Sequence, residues 1–318
     1  MPQMDVLAGL ENFSVLDEND KPIFEKMLKN CDSSQDYSDC WAYLIQSTFF
    51  GGFKFYDGKN FVAFTTHTPT SKVFAITKAV GSNPRQAILS CARVLKERSG
   101  EKVIVKNLDE YDHEFLLRNG FEDYRAGDGW NSFYKCDDDT FPEPIVDLQQ
   151  LISLKGGKLK LLRYRLKQFT APFEMKIYAP SIDFAAAEII LQKWGKDVEK
   201  RYAEILKVDD VFLHSIALHR QFMLKPQGQA FLFTSSGEPI GFAMLVPISN
   251  QAVALYSTVC DNKVEGLSER VYFETMKRAF ENGYKYCNFG GSEFESLYNY
   301  KLKFAPFTFV QKKHAVLY

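Results

Sequence analysis

Two hydrophobic periods alternate along the chain. From Pro84, apolar Ile88, Cys91, Ala92 and Leu95 recur at helical spacing until Gly100. Ile182 to Leu206 keeps that period, with Ile190, Trp194, Val198, Tyr202 and Leu206 on one face, and Val211 to Leu224 and Leu267 to Asn282 repeat it. Asp20 before Lys21-Pro22 predicts a capped helix with Ile23, Phe24, Met27 and Leu28 inward, and Glu110 to Arg118 predicts another, closed by Asn119-Gly120. Between them lie short runs with strand composition. Gly52 to Tyr56 and Phe61 to Thr66 flank the hairpin signal Asp57-Gly58, and Ala230 to Thr234 and Ile240 to Val246 flank Ser236-Gly237. Val73 to Val80, Val103 to Val105, Ala252 to Val259 and Tyr286 to Phe289 complete the set.

This order occurs twice. Gly100 and Phe121 are spaced like Gly283 and Phe304, so one ungapped offset of 183 residues lays Val103-Ile-Val105 on Tyr286-Cys-Asn288. Each half runs helices, hairpin, strand, helix, strand, helix, strand, which predicts two similar α/β (α+β) units with mixed sheets. Asp137 to Pro144, acidic with two prolines, reads as the linker, so the expected domains are 1–145 and 146–318.

Composition narrows the chemistry. Formal net charge is −1, so an anion site has to be a local patch. Lys155, Lys158, Lys160, Arg163, Arg165 and Lys167 form such a run, with no acid among them. Six scattered cysteines without a C-x-x-C pair read as reduced thiols, and the five histidines show no metal spacing. His214 and His219, on an amphipathic helix, read as packing or surface residues. No apolar run approaches the ~20 residues that span a bilayer, and no secretory signal opens the chain, so a cytoplasmic location is expected.

The densest chemistry lies in Tyr286 to Pro306. A strand ends at Phe289, Gly290 and Gly291 break it, and Ser292 is placed to N-cap a helix with Glu295 completing a capping box. Lys301 and Lys303 stand near the far end, before Pro306.

The order of elements and the Arg118-Asn-Gly-Phe121 turn resemble the GNAT acyltransferase fold. Neither Gly81-Ser-Asn-Pro84 nor Asp261-Asn-Lys-Val-Glu-Gly266 matches that fold's Gly-x-Gly pyrophosphate loop, which argues against acetyl-CoA. Asn288, Gly290, Gly291 and Ser292, followed by Tyr300, Lys301, Lys303, Phe304 and Pro306, resemble the C-terminal domain of phosphatidylglycerol lysyltransferases. Leu154 to Arg163 resembles that family's segment between its two units, and Asp20-Lys21 with Asp36-Tyr37-Ser38 gives a weaker match.

The resemblance implies two tandem GNAT-like units and Fem-like aminoacyl transfer, from aminoacyl-tRNA to a lipid, peptide or small amine or hydroxyl acceptor, without a bound cofactor. Acyl-CoA is the alternative donor, and a non-catalytic binding protein is the alternative of another class. N–H groups around Gly290, Gly291 and Ser292 are expected to stabilise an oxyanion, with Glu293 accepting a proton or holding a substrate ammonium. Glu293, Lys303 and Ser292 are thus the expected catalytic residues. Asn288, Gly290, Gly291, Lys301, Lys158, Arg163 and Arg165 are expected to bind substrate, the last three as part of a tRNA-facing segment 155–167. The first unit, which lacks a Gly-Gly-Ser turn at Lys106 to Asp109, is expected to be structural or to help shape a cleft between the units.

Overall fold

A computed structural model describes residues 6–28, 35–47, 52–66, 73–124, 141–206, 209–261, 263–292 and 295–318, apart from the side chains of residues 47, 200–206 and 209–215. The chain divides into two compact units, each built from more than one stretch of sequence.

The first unit comprises residues 1–32, 38–132 and 311–318. Its strands are β1 (Phe13–Val15), β2 (Gly52–Tyr56), β3 (Asn60–Thr66), β4 (Phe74–Gly81), β5 (Val103–Leu108), β6 (Glu122–Asp123) and β14 (Lys313–Leu317), in sheet order β1-β2-β3-β4-β5-β14-β6. Helices α1 (Lys21–Leu28) and α2 (Trp41–Ser47) supply Phe24, Trp41 and Leu44, which cluster with Phe61, Ala63 and Val80. Helices α3 (Pro84–Ser99) and α4 (Glu110–Arg118) supply Ile88, Cys91, Leu95 and Leu116, which pack with Val62, Phe64, Ile76 and Val105. The alternation of β3 thus feeds two separate cores. Each fully buried aliphatic side chain in them contributes roughly 1.5–3 kcal/mol.

Asp20 does not cap α1. Its carboxylate accepts from Asp17 N–H at 2.9 Å and pairs with Lys54, because a short 3₁₀ turn precedes the helix and takes the acid into its own capping box. Strand β4 runs parallel to β5 only from Phe74↔Val103 to Ile76↔Val105. Beyond that point Asn107 bridges the two strands. At φ +60° its side-chain amide donates to Thr77 O at 2.9 Å and to Tyr43 Oη at 2.8 Å.

The second unit comprises residues 33–37 and 133–310. Its strands are β7 (Glu143–Asp147), β8 (Glu174–Ile177), β9 (Gln229–Ser235), β10 (Glu238–Pro247), β11 (Ala252–Cys260), β12 (Tyr286–Asn288) and β13 (Thr308–Val310), in sheet order β13-β7-β12-β11-β10-β9-β8. Its helices are α5 (Leu148–Ser153), α6 (Lys160–Gln168), α7 (Pro180–Leu206), α8 (Asp209–Leu224), α9 (Leu267–Glu281) and α10 (Glu295–Leu302). Leu151, Leu162, Val271 and Met276 from α5, α6 and α9 pack with Phe231, Phe233, Leu255 and Cys287 of the sheet. Helix α7 packs on β10 and β11 and pairs with α8.

The expected linker is only partly one. Residues 137–140 lie outside the described set, but Glu143 and Pro144 belong to β7, which pairs antiparallel with both β12 and β13. Pro144 has no N–H, yet its carbonyl accepts from Phe289 N–H at 3.1 Å. A boundary at 145/146 falls inside this strand.

Candidate active site

Parallel strands β11 and β12 pair over three positions, Ala252↔Tyr286 to Ala254↔Asn288, and then part. Strand β11 runs on to Cys260, while β12 turns away at Phe289. The notch this leaves in the sheet of the second unit is the centre of the candidate site.

A network of buried polar groups shapes the turn after β12. Asn288 is fully buried; its side-chain N–H groups donate to Glu143 Oε2 and to Gln35 O, both at 2.7 Å, and its Oδ1 accepts from Gly290 N–H at 2.7 Å. Lys301 is 5% exposed, and its ammonium donates to Gly290 O at 3.1 Å and to Gly291 O. Both carbonyls therefore face the α10 lysine, and the trans geometry of the peptides turns the N–H groups of Gly291 and Ser292 to the opposite side.

These bonds narrow the expected oxyanion site. Gly290 N–H is held by Asn288. Ser292 forms an antiparallel bridge with Phe141, and because Pro142 has no N–H the bridge must use Ser292 N–H. What remains is Gly291 N–H, which takes no partner among the described residues, and the Ser292 hydroxyl, which is fully buried and likewise unpartnered. Ser292 therefore forms no capping box with Glu295, where α10 begins. Glu293 lies outside the described residues.

Gly290 has φ +67°, and a Cβ there would stand 3.0 Å from Tyr37 Cε2. Glycine is required both for the left-handed backbone and for this approach. The Tyr37 ring stacks on Tyr256 at 4.9 Å, and its hydroxyl donates to Tyr256 O at 3.3 Å. Tyr37 N–H donates to Glu143 Oε2 at 3.2 Å. A residue from the first eighth of the chain thus lines the notch.

The expected cations divide by environment. Lys301 acts within the turn and does not reach outward to a phosphate. Lys303 pairs with the buried Glu269 in the first turn of α9 at 3.0 Å and lies 4.5 Å from the Tyr300 ring centre. Burial holds the Tyr300 and Tyr272 hydroxyls beside this pair well above the ordinary tyrosine range. Arg163 donates to Leu154 O at 2.7 Å and Gly156 O at 2.8 Å, and Arg165 to Glu265 Oε1 and Gln168 Oε1, both at 2.9 Å. Arg163 thus holds its own segment and Arg165 ties it to the loop before α9, whereas Lys155, Lys158, Lys160 and Lys167 are exposed.

The sequence reading missed one pair. His219 on α8 has Nδ1 2.8 Å from Ser257 Oγ on β11, in the stretch of that strand that has left β12. Trp194 meets the imidazole edge-on at 5.0 Å. The surrounding protein pushes His219 down to about 4 by desolvation, although part of the side chain still meets solvent. Only the polar Ser257, beside Thr258 in the mostly apolar run Ala252 to Val259, hinted at this contact. Among the described residues no group of three or more His, Cys, Asp or Glu is arranged to hold a metal ion, and Cys40, Cys91, Cys260 and Cys287 are buried and outside any disulfide.

Two mixed sheets, each with a parallel pair that parts, define an acyltransferase-type fold of the tandem GNAT plan. The family model described as "Phosphatidylglycerol lysyltransferase, C-terminal" matches residues 33–314, and the chain belongs to that family. A conserved protein of unknown function from Bacteroides thetaiotaomicron superposes with TM-score 0.75 at 17% identity, covering 96% of this chain and 99% of that one. L-PGS from Bacillus licheniformis gives TM-score 0.63 at 16% identity over 95% of this chain and 92% of that one. A tandem GNAT protein from the clavulanic acid biosynthesis pathway gives TM-score 0.52 at 10% identity, with 96% and 97% covered. At these identities the likeness is one of fold. No curated protein matches the chain. No helix among the described residues is long and apolar enough to cross a membrane.

Proposed function

We propose that the protein transfers an aminoacyl group from the ester of an aminoacyl-tRNA to an amine or hydroxyl acceptor, which is a lipid, a peptide or a small molecule. The observation that carries this reading is the turn at Gly290–Ser292. Lys301 fixes two of its carbonyls, and Gly291 N–H and the buried Ser292 hydroxyl are left as donors beside the strand notch. An aminoacyl ester is already activated, so catalysis consists of positioning the reactants and stabilising the oxyanion formed when the acceptor attacks. Preorganised donors in a water-poor site serve that need. The exposed lysines of segment 155–167 supply a surface for tRNA phosphates. If all four engage, log K falls against log salt with a slope of about −3 to −4.

Acyl-CoA fits less well. The loop before α9, Asp261 to Gly266, lacks the Gly-x-Gly pattern, and the first turn of α9 carries the carboxylate of the Glu269–Lys303 pair, which weakens the pull of this helix N-terminus on a pyrophosphate.

The test uses a pool of radiolabelled aminoacyl-tRNAs with phosphatidylglycerol vesicles, short peptides or small amines as acceptors, and acetyl-CoA with the same acceptors as a second arm. Transfer from tRNA that drops roughly 10²-fold in Ser292→Ala supports the reading. Transfer from acetyl-CoA alone replaces it with an acyl-CoA enzyme. Saturable binding of charged tRNA with no transfer to any acceptor makes the protein a binding module.

A further inference from the structure

The proposed chemistry needs a group that takes the acceptor's proton. The notch has two edges. The β12 edge holds Gly291 N–H and the Ser292 hydroxyl. The β11 edge, beyond Ala254, holds Ser257 with its oxygen 2.8 Å from His219 Nδ1. The edges are linked by contact: Ser257 follows Tyr256, Tyr256 O accepts from Tyr37, and Tyr37 lies against Gly290. Ser257 is 2% exposed, so its hydroxyl is shielded from bulk water. His219 meets solvent in part, so a proton delivered to the ring has a way out.

Resting on the aminoacyl-transfer reading, we propose that His219 and Ser257 are its proton-transfer pair, with His219 as general base through the Ser257 hydroxyl. In the tautomer with its proton on Nε2, His219 Nδ1 accepts from Ser257 Oγ. As the acceptor's nitrogen or oxygen bonds to the ester carbonyl carbon, its proton passes to Ser257 Oγ, and the Ser257 proton passes to Nδ1. When the intermediate collapses, the bond from carbon to the ribose oxygen breaks. That oxygen takes the proton back from the imidazolium through the same hydroxyl. One bond forms, one breaks, and neither pair residue is changed at the end. Desolvation keeps the resting ring neutral, the form in which Nδ1 can accept. A hydroxyl shared with a neutral imidazole is also the arrangement that activates an oxygen for attack.

The experiment compares the full chain with His219→Gln, His219→Ala and Ser257→Ala in the aminoacyl-tRNA assay, with circular dichroism and thermal melting as folding controls. The expected result is a fall in kcat of roughly 10²–10³ in His219→Gln and Ser257→Ala with KM nearly unchanged, and partial recovery of His219→Ala by added imidazole. A purely packing role would lower the melting temperature without the kcat effect or the imidazole rescue. Wild-type kcat in a folded His219→Gln overturns this inference and leaves the transfer reading standing. Absence of transfer by the unaltered protein overturns both. Where His219→Gln fails to fold, Ser257→Ala, which removes one oxygen, decides alone: an unchanged kcat there overturns the relay.

Discussion

Asn107 and Gly290 hold the same left-handed backbone conformation, φ +60° and +67°, at positions one repeat offset apart. Asn107 lies within β5 and Gly290 two residues past β12, in each unit the shorter strand of a parallel pair. In the first unit the asparagine side chain bridges the parting strands through Thr77 O on β4 and also donates to Tyr43 Oη on α2. In the second unit glycine has no side chain, and Tyr37 takes up the room. One repeat thus closes its notch with its own residue, and the other leaves it to an aromatic ring and unpartnered donors. On this difference rests the proposal that the second unit carries the chemistry.

Gly290→Ala is expected to destabilise the protein by about 1–2 kcal/mol through the left-handed backbone, with a further cost from displacing Tyr37. Urea melts of Gly290→Ala, Tyr37→Ala and the double variant measure the coupling. The alanine substitution should cost less when the ring is already gone.

Asn288→Ala is expected to cost about 2–3 kcal/mol, because it removes a close side-chain donor from the buried Glu143 carboxylate and releases Gly290 N–H. Adding Glu143→Gln should recover part of the loss. Denaturant midpoints of the four proteins in that cycle check this.

Lys303→Met is expected to cost about 2 kcal/mol, because Glu269 is buried while the ammonium is partly solvated. Pairing it with Glu269→Gln should restore most of the stability. If the double variant also regains transfer, Lys303 is a scaffold residue; if it stays inactive, the ammonium is needed by the substrate.

His219 gives stability a pH dependence. Its native value, about 4, lies below the ordinary 6.5, so between these values the unfolded chain binds a proton that the native protein does not. This contribution is complete above about 6.5 and disappears as pH falls toward 4, amounting to at most about 3 kcal/mol. Melting temperatures between pH 7.5 and 4.5 should converge for the native protein and His219→Gln as the pH falls.

Helices and most strands were legible because their apolar periods are strong; α3 buries Ile88, Cys91, Ala92 and Leu95 as the spacing requires. Strand β7 was hidden by Glu143 and Pro144, residues depleted in strands and accepted here because Asn288 and Phe289 satisfy them. In the site, the residues of the Gly-Gly turn could be picked out, but the use of each cation could not. Whether a lysine faces a phosphate or two carbonyls depends on where distant strands bring the backbone, and Lys301 and Arg163 both face carbonyls. The pair of His219 and Ser257 joins residues 38 positions apart and leaves no periodic trace.

The place of β14, between β5 and β6, has a consequence for biogenesis. Residues 103–108 and 122–123 leave the ribosome long before residues 313–317, which hold them together in one sheet. The first unit therefore waits with an incomplete ladder through the synthesis of nearly two hundred residues. A pulse-labelled nascent chain arrested at residue 300 should be digested by protease in its early part, and the full-length product should resist.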